Sequence, residues 1–130
     1  MKKTLITAAI FAAITFTATA QDAGQFFLQH EKEGIVVISP EIRKGRGRCV
    51  IFNTQNSTID SVIVQWTGSS YRTGKVSGLS PILVSVPLLN PEGARFEKLS
   101  VYRAGAVQYF NRKQIEGLTM PVEVAKEAGL

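Results

Sequence analysis

Four cations fall within six residues in Arg43-Lys44-Gly45-Arg46-Gly47-Arg48. Glycine lets a backbone approach an anion closely, and each guanidinium offers a planar fork of donors for phosphate or carboxylate. Arg43, Lys44, Arg46 and Arg48 are therefore candidates for contact with a polyanion, such as an anionic glycan, a lipid head group or an acidic protein surface. The same residues equally suit a solvated hairpin loop between two buried strands. No aromatic interleaves with the run, and a nucleic-acid binder shows a broader basic surface. A second candidate contact is Tyr71 beside Arg72, in a stretch rich in Ser and Gly.

Cys49 is the single cysteine. Within Arg48-Cys49-Val50-Ile51-Phe52 it reads first as a small buried hydrophobe. The alternatives are an intermolecular disulfide or a thiol activated by the neighbouring arginines. His30 is the single histidine. One His and one Cys do not furnish a zinc site, and no carboxylate cluster has calcium-loop spacing. A Ser–His–acid set would have to recruit His30, and no Gly-x-Ser-x-Gly elbow accompanies it. No phosphate-cradling or dinucleotide fingerprint is present. The expectation is no cofactor, no metal and no enzyme, with a small hydrolase as the remote alternative.

The chain opens with Lys2 and Lys3, then a charge-free apolar stretch from Leu5 to Phe16, then Ala18-Thr19-Ala20 before Gln21. That order reads as a bacterial-type signal peptide over residues 1–20, cleaved after Ala20. An uncleaved anchor needs ~20 apolar residues, and this run is shorter. The expectation is a periplasmic or secreted protein with no membrane span after cleavage. Without Lys2 and Lys3, the 15 Lys and Arg become 13 against 10 Asp and Glu, a net charge of about +3. Such mild basicity, together with export, argues against an intracellular nucleic acid.

Residues 21–130 must position these groups, and they read as one β domain. Short apolar or alternating runs are broken by Gly, Pro, Asn and Ser, the pattern of many short strands. Gln25–Gln29 is taken as a first strand or lead-in, and Ile35–Ile38 and Cys49–Asn53 as strands. In Ile59–Thr67, Val62, Val64 and Trp66 share one face by period two, which sends Trp66 to the core. Pro81 and Pro87 bracket a strand and mark it as an edge. A hairpin turns at Ala104-Gly105, and Tyr102 and Tyr109 are expected to face each other across it. Lys113–Leu118 is the best helical candidate, Met120–Val124 a last short strand and 125–130 a frayed tail.

Seven or so strands without crossover helices predict an all-β fold, a small antiparallel β-sandwich or small barrel. The succession Val50–Asn53, Ile59–Trp66 and Gly78–Pro87 resembles immunoglobulin-like domains in rhythm, without their Cys…Trp…Cys spacing. The functional expectation is an exported binding or accessory module whose partner is another envelope or extracellular protein. The alternative is a polyanion or envelope-surface binder using residues 43–48.

Overall fold

Alternation along each strand decides which side chains meet. The computed structural model describes the backbone of residues 14–130 and the side chains from Asp22 onward. Lys2, Lys3 and residues 5–13 of the expected leader lie outside the described residues. The elements run α1 (Ile14–Gln29), β1 (Ile35–Arg43), β2 (Arg46–Asn53), β3 (Ser61–Trp66), β4 (Ser69–Arg72) and β5 (Pro81–Pro87). They continue with β6 (Phe96–Arg103), β7 (Ala106–Asn111), α2 (Arg112–Leu118) and α3 (Val122–Glu127).

The strands form two antiparallel sheets, ordered β1-β2-β5 and β4-β3-β6-β7. Ile35, Val37, Cys49, Ile51, Val84 and Val86 of the first sheet share one core with Val62, Val64, Trp66, Leu99, Val101 and Phe110 of the second. This mostly β arrangement is consistent with a small β-sandwich. The barrel alternative is set aside, because each sheet ends in two edge strands rather than closing on itself. β5 is an edge, as its two prolines require.

Ile35, Val36, Val37 and Ile38 are all buried because β1 is covered on both faces. Ile35 and Val37 point into the core between the sheets. Val36 and Ile38 belong to a second cluster with Ala23, Met120 and Ala125, flanked by Phe26, Phe27, Val50 and Phe52. That cluster is the packing of α1 and α3 on the outside of the three-stranded sheet. On its flank Phe27 stacks on Phe52, with ring centroids 4.1 Å apart.

Three expectations are corrected here. Gln25–Gln29 is the last part of α1, not a strand. Ala23, Phe26 and Phe27 fall at i, i+3 and i+4, so one helical face meets the sheet. Met120–Val124 is not a strand either. Met120 donates its backbone N–H to Val37 O, and Pro121 then starts α3. The tail after Ala125 is not frayed, since Ala125 is buried and Leu130 N–H returns to Ala125 O at 2.8 Å. The expected helix at Lys113–Leu118 exists as α2. Asn111 caps it, accepting from Gln114 N–H while the Gln114 side chain accepts from Asn111 N–H.

The two sheets come into close contact at Gly47. A Cβ there would lie 2.5 Å from the Trp66 ring, so only glycine lets the indole lie flat against β2. Trp66 is buried, as its phase predicts, and stacks on Phe96 at 5.2 Å.

At the opposite end of β2, Asn53 is fully buried. Its Nδ2 donates to the carbonyls of Ser57 at 2.8 Å, Ser77 at 3.1 Å and Val76 at 3.3 Å. Its Oδ1 accepts from Gln55 N–H at 3.1 Å and Arg103 Nη2 at 2.7 Å. Asn53→Ala leaves these buried groups without partners and is expected to cost about 2–4 kcal/mol of stability. Urea denaturation of wild type and variant checks this; a loss below about 1 kcal/mol would show the network to be dispensable.

Candidate functional site

The basic run is the tight turn of the hairpin that joins β1 and β2, as one of the two sequence readings expects. Arg43 pairs with Arg46, and Lys44 and Gly45 take φ of 52° and 76° between them. Two consecutive left-handed residues match the twist of the flanking strands. Arg46 is engaged: Nε donates to Ser85 Oγ at 2.6 Å and Nη2 to Ser85 O at 3.1 Å. Arg43 lies 3.9 Å from Glu41, and Arg48 sits opposite Glu41 in the register. Lys44 and Arg48 make no side-chain hydrogen bond among the described residues.

Tyr71 and Arg72 lie in β4, in the other sheet. Tyr71 faces Val64 and is half exposed. Arg72 points to the opposite face, donates to Ser61 Oγ at 2.7 Å and covers the Tyr102 ring at 4.8 Å. Among the described residues, no hydrogen bond, ion pair or ring contact joins this pair to the 43–48 hairpin. The cross-strand tyrosine pair is corrected: Tyr102 faces Val107 and Tyr109 faces Ser100. Each ring is instead covered by a cation, Tyr109 by Lys98 Nζ at 4.8 Å.

Exposed strand edges are a binding route that a many-stranded sequence suggests, but which edge stays open is visible only in three dimensions. A strand edge exposes unpaired N–H and C=O groups unless something blunts it. Three of the four edges are blunted. β5 has proline at both ends, and Arg46 covers Ser85. β1 is met by the α2–α3 link, through Met120 N–H on Val37 O and a bridge to Thr119. β4 has only 4 residues. β7 has 6, and Ala106, Val107, Gln108 and Tyr109 are all exposed.

The ladder tells which β7 groups are free. Tyr102 O accepts from Asp60 N–H, so the Tyr102 main chain faces the β3 side. Alternation then turns the main chains of Val101 and Arg103 toward β7, where they meet Gln108 and Ala106. The N–H and C=O of Val107 and Tyr109 therefore point away from the sheet. Asn111 N–H is taken by the Gln114 side chain at 2.8 Å, which ends the free stretch.

The remaining chemistry is quiet. His30 Nδ1 lies 3.2 Å from Glu33, and its ring packs on Phe26 at 4.6 Å. No group of three potential metal ligands occurs among the described residues, and none of their helices is long and apolar enough to cross a membrane. A groove with a volume of about 440 Å³ lies beside Phe96, Ile115 and Met120, with Arg95 and Arg112 among its lining residues.

Cys49 is buried in the core at 2 % exposure, so a disulfide to a second chain would require that core to open. Burial pushes its pKa up from 9.0 to about 12. The neutral thiol is thus favoured by folding. Its contribution is full below pH 9.0 and is lost as pH rises through about 12. Between those values the urea midpoint of wild type is expected to fall further than that of Cys49→Ala. Parallel falls would show that the thiol carries none of the pH dependence.

Comparison with protein-family models, with curated proteins and with solved structures finds no match.

Proposed function

We propose that this protein is an exported, non-enzymatic binding module that holds a protein partner by accepting its strand along the free edge of β7. One observation carries this reading: β7 presents the outward main-chain groups of Val107 and Tyr109, while the other three edges are blunted. Strand addition takes its affinity from main-chain hydrogen bonds and its specificity from alternate side chains. Behind the edge, Leu99, Val101 and Phe110 anchor β6 and β7 in the core.

Export rests on the leader. Lys2, Lys3, the apolar stretch and Ala18-Thr19-Ala20 supply the three zones of a signal peptide, and a cut after Ala20 would leave Ala23, Phe26 and Phe27 on the sheet. The partner is then another protein of the periplasm or the cell exterior. The immunoglobulin-like rhythm of the strands accords with such a setting. Polyanion binding by the hairpin is less well supported, because Arg46 already donates to Ser85 within the protein.

Val107→Pro removes one outward N–H without touching the ladder to β6, and proline is tolerated on edges. The variant is expected to keep its urea midpoint close to wild type and to lose about tenfold or more in affinity for a protein captured from envelope extract. Capture that survives Val107→Pro would refute strand addition here. Heparin binding that vanishes when Arg43, Lys44, Arg46 and Arg48 all become Ser would favour the polyanion reading instead.

A further inference from the structure

The side chains flanking the free edge define what kind of strand fits it. The outer face of the four-stranded sheet carries Arg72 and Lys98. Between Lys98 and Tyr102, and at the positions facing them on β3, β4 and β7, there is no carboxylate. The acids that adjoin these strands in sequence are engaged elsewhere: Asp60 accepts from Ala104 N–H at 3.1 Å, and Glu97 from Thr67 Oγ1 at 3.0 Å. The two cations are not equivalent. Arg72 is held on β4, at the far side of the sheet, by Tyr102 and Ser61. Lys98 instead reaches diagonally onto β7, with its ammonium 4.8 Å from the centre of the exposed Tyr109 ring. It has no carboxylate within 4.0 Å among the described residues.

We infer that the strand received by β7 is acidic, with a carboxylate at the position facing Tyr109, where it pairs with Lys98. The inference rests on the strand-addition reading and adds the partner's chemistry to it. On a sheet, directly facing side chains lie ~4.5–5.5 Å apart, and opposite charges there stabilise the pairing. A carboxylate facing Tyr109 therefore falls within reach of an ammonium already lying over that ring. Position facing Val107 has only an apolar neighbour and favours a β-branched residue. The charge pattern also argues against a second copy of this chain in the same place. Two β7 edges side by side would bring the Lys98 ammonium groups of both copies, and the Arg112 and Lys113 that follow β7, into one region. Like charges meeting across an interface oppose association.

The test uses the intact protein and three blocked eight-residue peptides of alternating Val and Thr. They differ only in one central Thr position, occupied by Glu, Gln or Lys. Binding is followed by calorimetry at low and moderate salt. The Glu peptide is expected to bind about tenfold more tightly than the Lys peptide, with the gap narrowing as salt rises. Lys98→Gln is expected to close the gap, and Lys98→Glu to reverse it. Arg72→Gln is expected to leave it unchanged; a gap that closes there as well would assign the preference to the general field of the sheet and overturn the role of Lys98. Equal binding of all three peptides to wild type, lost in Val107→Pro, would overturn the acidic preference while leaving strand addition standing. No binding by any of the three would count against the edge itself.

Discussion

A single buried carboxamide holds the two sheets in register. Asn53 ends β2, and its one side chain meets three carbonyls and two donors from three separate stretches of chain. Arg103, at the end of β6 in the other sheet, is the only charged member. Its Nη2 bridges Asn53 Oδ1 and the carbonyl of Gly34, while Thr54 N–H also reaches Gly34 O. Gly34 takes a φ of 83° and sits against the Arg103 guanidinium, so a side chain there would be strained and would displace the arginine. Burial lowers the Arg103 pKa, which is the expected sign for a cation that loses water and gains only neutral acceptors. The β6–β7 hairpin begins at this anchored arginine, so the orientation of the free edge derives from Asn53.

Trp66 provides the matching constraint at the other end of β2. There the sheets are held by contact, and the indole Nε1 has no hydrogen-bond partner among the described residues. The two ends therefore differ in kind. One is polar and specific in geometry, and the other is apolar and depends on the missing side chain of Gly47. Between them lies a core of β-branched residues and Leu99, with Cys49 filling a position that any small apolar group would suit.

Much of the two-sheet arrangement was legible in the sequence because alternation survives wherever one face is buried. Val62, Val64 and Trp66, or Val84 and Val86, declare both a strand and its inner face. The helices were not legible, for specific reasons. The helical face of Ala23, Phe26 and Phe27 follows directly on the expected leader and contains no cap that would mark a start. In α3, Val122 and Val124 stand two apart, which is the period of a strand. What decides against a strand is Pro121 before them and the burial of Ala125 after them, and both act through tertiary contact. The candidate edge was hidden more deeply. Alternation identifies β7 as a strand, but only the strand order shows that nothing lies beyond it. The hairpin of residues 43–48 attracted notice by composition, yet composition does not reveal that Arg46 is spoken for by Ser85, thirty-nine residues away.

The course of α1 carries a consequence for the order of events in the life of the chain. The helix runs from Ile14 to Gln29 without a break, and so passes straight through the proposed cut after Ala20. A peptide bond inside a helix is open to a protease only when that helix has locally unwound. Phe27 locked against Phe52 holds the same helix to the sheet. If the proposed cut after Ala20 is made, removal of the leader and docking of α1 would compete, and the cut would have to precede docking. Maturation and folding of this protein would then be a race, with the second cluster closing the window.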